Sequence, residues 1–107
     1  MNAPANLPIS EQFRVVAKKW CDADAAARLL EDTKSAVLAQ KIATLGDMAH
    51  NKAENQVKAS QEWADYIQKM TEAKKQANLL KVQMEYLRMK FSEWQSHNAN
   101  KRAEMRL

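Results

Sequence analysis

Apolar residues recur with a seven-residue period between Ser60 and Gln95. The ten consecutive a and d positions of this repeat hold apolar, small or aromatic side chains: Trp63, Tyr66, Met70, Ala73, Ala77, Leu80, Met84, Leu87, Phe91 and Trp94. Such a stripe is typical of coiled coils, in which a and d side chains pack against a neighbouring helix. The pattern therefore predicts a long helix over about 60–96, with Ser60 as its N-cap.

A less regular apolar stripe precedes this helix. Its first members keep heptad spacing: Phe13, Val16, Trp20, Ala23, Ala27 and Leu30. The spacing then slips, because Leu38 follows Leu30 by eight residues, with the polar segment 31–35 between them. Either one helix continues with a phase shift, or it breaks and a new helix is capped by Asp32 or Ser35. Because 31–35 contains neither Gly nor Pro, we favour one helix over about 10–57, with Gly46 inside it.

The two stripes predict a coiled-coil-like antiparallel hairpin. A turn centred near Lys58 and Ala59 would place residue i opposite residue 117 − i. In this register Leu80 faces Leu38, and Trp94 comes near Trp20. Large side chains then meet small ones or each other, as a packed helix pair requires.

We call the a and d positions of the two stripes, where the helices meet, the seam. Apolar residues outside the seam predict a second interface. A hairpin of two helices buries one stripe per helix and has a small core. We therefore expect a homodimer in a four-helix arrangement, or docking on a partner protein. Outside the seam, the residues assigned to this partner or dimer contact are Ile67, Leu79, Val82, Tyr86 and Met89. Trp20 and Trp94 are added because they would meet at the open end of the hairpin.

Composition favours an all-α chain with a single domain, 1–107. The 107 residues include one Gly and two Pro, whereas β-domains need turn residues at regular intervals. Both prolines lie in residues 1–9, which we predict to be an irregular arm. Residues 97–107 are predicted to be a basic tail in which the helix frays.

The sequence offers little catalytic chemistry. Cys21 with His50 or His97 is its one Cys/His combination, and the 117 − i register places His97 opposite Trp20, next to Cys21. A two-helix hairpin provides neither an oxyanion hole nor a shaped pocket. Glu-x-x-His motifs for metal are missing, and a single glycine excludes phosphate-binding loops. We therefore expect no enzymatic activity, no metal and no cofactor.

The expected location is the cytoplasm. A lone cysteine, Cys21, forms no intramolecular disulfide and is typical of a reducing compartment. The N-terminal residues lack a basic segment followed by an apolar one, so no secretory signal is expected. Because no 18-residue window is uninterruptedly apolar, we also expect no membrane span.

Cations lie one heptad apart along one edge of the second helix. With Trp63 at an a position, the basic edge consists of four e positions and one g position: Lys74, Lys81, Arg88, Arg102 and Lys90. Such an edge can contact a phosphate backbone or an acidic partner. Alternatively, its cations flank the core and pair with acidic residues such as Glu31 across the hairpin. The formal net charge of +4 is compatible with both interpretations.

Three segments of the second half carry a resemblance to known proteins: KASQEWADYIQKMTEAKKQAN, EYLRMKFSEWQ and NANKRAEMRL. Over about residues 57–107 the chain resembles small helical proteins of bacteriophages and prophages, often encoded near DNA recombination or replication functions. The resemblance implies a non-catalytic accessory or inhibitor protein that binds and modulates host or phage DNA-processing machinery. The alternatives are direct DNA or RNA binding by the basic edge, and a structural or chaperone-like coiled-coil adaptor.

Overall fold

The computed structural model describes residues 6–106, in which every regular element is an α-helix. The helices are α1 (Ile9–Asp32), α2 (Lys34–Ala43), α3 (His50–Lys58) and α4 (Gln61–Arg106). The predicted all-α helical hairpin is confirmed, with α1 and α2 following one another across a bend at Thr33. Residues 1–5 of the predicted irregular arm, and Leu107 of the predicted tail, lie outside the described residues.

The contacts divide the chain into two compact units. The terminal unit combines Met1–Asp22 with Ala77–Leu107, and the central unit is Ala23–Gln76. Helices α1 and α4 each contribute residues to both units. The two units are described separately below.

In the central unit, Thr33 bends the helix between α1 and α2. Its backbone angles, φ −89° and ψ −4°, depart from helical values, and its hydroxyl donates a hydrogen bond to the Leu29 carbonyl at 2.7 Å. Threonine side chains that bond back to the preceding turn bend helices in this way. The favoured continuation therefore holds across 31–35 as a bent helix, because the Thr33 and Val37 backbone N–H groups still donate to the carbonyls of Leu29 and Thr33. Neither predicted cap, Asp32 or Ser35, precedes α2, which follows Thr33.

Gly46 lies between helices rather than inside one, so the single helix predicted over 10–57 is wrong. Helix α2 ends at Ala43, and Gly46 has φ +71°, a conformation that costs glycine little and other residues much. Helix α3 follows and packs against α2. The chain thus begins to reverse near residue 44, well before the predicted turn at Lys58 and Ala59.

This early reversal changes the register between α4 and α1, the two antiparallel arms of the hairpin. The 117 − i register places Glu31 opposite Tyr86, but in the central unit Glu31 pairs with Lys74, Oε1 to Nζ 3.1 Å. In the terminal unit the Arg88 guanidinium carbon lies 5.7 Å from the centroid of the Phe13 ring, whereas the predicted register placed Leu29 there. The arms remain antiparallel within each unit, but the predicted register is wrong by more than ten residues.

The heptad seam of α4 forms the core, as its periodicity predicts. Buried residues of the central unit are Ala27, Ala53, Val57, Trp63 and Met70. Buried residues of the terminal unit are Gln12, Val16, Ala77, Leu80 and Leu87. Burial of the seam ends after Leu87, since Phe91 and Trp94 are 37% and 54% exposed.

The ends of α4 differ in how well they match the sequence prediction. Ser60 caps the start, accepting a hydrogen bond on its hydroxyl oxygen from the Trp63 backbone N–H at 3.2 Å. At the other end, the helix continues through residues 97–106, where fraying was predicted. None of the helices within residues 6–106 has the length and apolarity needed to cross a membrane.

Candidate functional site

A groove with mostly apolar walls lies in the terminal unit, between the start of α1 and the Leu87–Trp94 part of α4. It consists of two adjoining cavities of about 260 and 440 Å³, which share Ile9, Ser10 and Phe91. We call it the Phe91 groove. Its remaining lining residues are Leu7, Pro8, Gln12, Phe13, Leu87, Arg88, Lys90 and Trp94.

The groove exists because the α4 seam continues past its helical partner. Phe91 and Trp94 stack with ring centroids 5.8 Å apart and an interplanar angle of 22°. In the observed register they lie beside the beginning of α1, which becomes helical only at Ile9. The pair therefore lies beside the non-helical residues Leu7 and Pro8 and the first turn of α1, and both rings remain partly exposed.

Gln12 holds that non-helical segment in place. Its side-chain Nε2 donates a hydrogen bond to the Leu7 carbonyl at 2.7 Å, and Gln12 is the buried polar residue of the core. Tying Leu7 back to α1 sets Leu7 and Pro8 as one wall of the groove. The pattern of residues does not predict this role, because a single glutamine in a helical segment gives no signal for it.

Cations border the groove. Arg88 lies over the Phe13 ring in a cation–π contact, and Lys90 lines the larger cavity. No carboxylate is present among the described residues that line the two cavities. The groove thus combines an apolar floor with a positively charged margin, which suits an apolar side chain flanked by acidic groups.

The five cations of the predicted basic edge have different surroundings. In the central unit Lys74 pairs with Glu31. This is what the second interpretation of the edge expected, in which its cations pair with acidic residues across the hairpin. In the terminal unit Arg88 contacts Phe13, Lys90 lines the groove, and Arg102 Nε donates to the Asn98 carbonyl at 3.4 Å. Lys81 is exposed.

The predicted partner contacts also separate into groups. Leu79, Val82, Tyr86 and Met89 are 56–61% exposed on α4. Trp20 and Ile67 are half-buried. Trp94 lies beside Leu7, Pro8 and Gln12, so the predicted proximity of Trp94 and Trp20 is wrong for the same reason as the register.

Cys21 and His97 were the predicted Cys/His combination. Both residues are exposed, and the shifted register removes the basis on which they were predicted to be neighbours. Within residues 6–106 no group of three or more His, Cys, Asp or Glu could hold a metal ion.

Three surface carboxyl groups have pKa values below their usual range, and each is held there by a cation. The hydrogen bond from Arg14 lowers the pKa of Glu11, that from Lys58 lowers the pKa of Glu54, and that from Lys41 lowers the pKa of Glu62. These are exposed ion pairs that keep the carboxylates charged.

No protein-family model, curated protein or solved structure matches this chain. Its function therefore has to be inferred from its own surfaces.

Proposed function

We propose that this chain is a non-catalytic accessory protein that binds a partner protein in the Phe91 groove. The partner is a nucleic-acid-processing protein of phage or host, as the resemblance of residues 57–107 implies. The observation that carries the proposal is the stacked, partly exposed Phe91–Trp94 pair beside an open apolar groove. A cytoplasmic location, favoured by the lone Cys21, belongs to the same proposal.

The side chains around the groove are those that dominate protein interfaces. Aromatic residues and arginine supply most binding energy at interface centres. Aromatic side chains bury large areas and lose little side-chain entropy. Here Phe91 and Trp94 supply the aromatic area, and Arg88 and Lys90 supply positive charge at its margin. The matching ligand is an acidic segment of the partner that inserts one or two apolar side chains.

Direct nucleic-acid binding by the basic edge is the weaker candidate. Lys74 is paired with Glu31, so this cation of the edge already has an acidic partner within the chain. A structural or chaperone-like adaptor would use the same groove for a different class of protein. The identity of the bound partner separates that alternative from our proposal.

Photo-crosslinking from the groove tests the proposal. The chain carries p-benzoylphenylalanine in place of the exposed Ser10, which lines both cavities, and is irradiated in an extract of its native host, with and without excess unmodified chain. We expect a crosslinked nucleic-acid-processing protein that unmodified chain displaces. Absence of any displaceable product would overturn groove binding, and a displaceable protein of another class would overturn the assigned partner.

Charge reversal then tests the predicted chemistry with the purified partner. The double variant R88E/K90E should weaken binding at least about tenfold in calorimetry, because it places acidic groups beside an acidic ligand. The control is K52E, which makes the same kind of charge change at an exposed residue of the central unit. Equal affinity of R88E/K90E and K52E would contradict an acidic ligand.

A further inference from the structure

Helix α4 carries a second apolar stripe on the side away from its buried seam. The outer stripe consists of Leu79, Val82, Tyr86 and Met89, all 56–61% exposed. The spacing of three, four and three residues places them on one face of a helix. Leu80 and Leu87, which are buried, lie on the opposite face. This part of α4 therefore has two seams, of which the terminal unit covers one.

The outer stripe ends in opposite charges. Lys75 precedes Leu79 by four residues on the same face of α4, and Glu93 follows Met89 by four residues. Both are exposed, and neither forms an ion pair with the described residues. Along the helix the face thus has a cation, four apolar residues and an anion.

We propose that two copies of this chain pair through the outer stripes of α4, antiparallel, about a twofold axis level with residue 84. Each stripe then lies on the other in full. Leu79 packs on the partner copy's Met89, and Val82 packs on the partner copy's Tyr86. At each end, Lys75 of one copy meets Glu93 of the other. The interface is isologous, as in most symmetric dimers.

The charges decide the direction of pairing. In a parallel pair, Lys75 of one copy would face Lys75 of the other, and Glu93 would face Glu93. Like charges would then repel at both ends of the stripe. Sliding the antiparallel pair by one heptad would place half of each apolar stripe against polar residues and would separate the ion pairs. A second copy in the stated register therefore satisfies the whole face, both its apolar part and its charged ends.

Purified chain alone is sufficient for the test, so its outcome is independent of the groove partner. Sedimentation velocity over a concentration series should show a monomer–dimer equilibrium for the unmodified chain. The single variants K75E and E93K should each weaken dimerisation at least several-fold, because each brings like charges together. The double variant K75E/E93K and an equimolar mixture of the two single variants should both restore it. Circular dichroism verifies that every variant is folded.

Cysteine crosslinking checks the direction. In a C21S background, which removes the exposed thiol, a mixture of L79C and M89C should form the mixed disulfide under oxidation. L79C alone should not crosslink, since its two copies lie about 15 Å apart along the helix axis. A monomer at about 1 mM chain, no rescue by the charge exchange, or efficient L79C–L79C crosslinking would overturn the proposal.

Discussion

The hydroxyl of Tyr66 on α4 donates a hydrogen bond to the Leu30 carbonyl on α1, with the two oxygens 2.5 Å apart. The same hydroxyl oxygen lies 3.1 Å from that of Thr33, the residue at which the first arm bends. Tyr66 occupies a seam position of the heptad repeat, so its ring is held by packing while its polar end reaches the bend. One side chain thereby joins the core of the central unit to its bend.

Replacing Tyr66 by Phe should lower the free energy of unfolding by about 1 kcal/mol, because the ring is kept but the Leu30 carbonyl loses a partner in a partly buried place. Urea denaturation, monitored by circular dichroism, measures this free energy of unfolding. The matched control is Y86F, which removes the same hydroxyl from an exposed ring and should change stability by less than about 0.5 kcal/mol. Equal effects of the two variants would show that the bend does not depend on this hydrogen bond.

Replacing Gly46 by Ala should destabilise the protein by about 1–2 kcal/mol. The backbone there has φ +71°, and an added Cβ would have no heavy atom within 4 Å, so the cost arises from the backbone rather than from a clash. Asparagine tolerates this conformation better, and G46N should therefore lose less stability than G46A. Thermal unfolding compares the stabilities of G46A, G46N and the unmodified chain. A stabilising G46A would mean that the fold does not require the positive φ at residue 46.

Local periodicity predicted the two helical arms and the α4 seam, but not where the chain reverses. Residues His50–Lys58 satisfy a helical pattern equally well as a continuation of α2 and as the separate helix α3. The decisive feature was Gly46, which has a positive φ. The sequence alone does not distinguish such a glycine from one that is tolerated in the middle of a helix. The register error followed from this, and it concealed the groove, since Phe91 and Trp94 look like core residues until their neighbours are known.

Removing the Leu87 side chain should cost far more than removing an exposed leucine. Leu87 is 5% exposed, and L87A should lower the free energy of unfolding by about 2–5 kcal/mol through lost burial and a cavity. Leu29 is 64% exposed, and L29A should change it by under about 0.5 kcal/mol. Chemical denaturation at one fixed protein concentration compares them. Similar losses would place Leu87 outside the core.

The Glu62 carboxylate should lose its lowered pKa when Lys41 becomes Gln. Lys41 Nζ lies 2.8 Å from Glu62 Oε2, and its hydrogen bond and charge favour the ionised carboxylate. Because the folded pKa is lowered, this pair stabilises the fold above the ordinary carboxyl pKa and ceases to do so as pH falls through the lowered value. A carbon-detected NMR titration should show the Glu62 pKa rising in K41Q and unchanged in K58Q, which alters the Glu54 pair instead. An unchanged value in K41Q would mean that the pair does not persist in solution.

The basic edge should bind nucleic acid weakly. Each phosphate that a protein neutralises contributes about 0.9 to the slope of log affinity against log salt. Because Lys74 is paired to Glu31, at most four of the five cations of the edge can each neutralise a phosphate, and we expect a slope below about 4 for a DNA duplex.

Fluorescence anisotropy over a salt series measures this slope for the unmodified chain, the triple variant K74E/K81E/R88E and the control K52E. A steep slope of about 4 or more, lost in the triple variant and kept in K52E, would make the edge the functional surface. A shallow slope in all three would show that the edge does not act by neutralising phosphates.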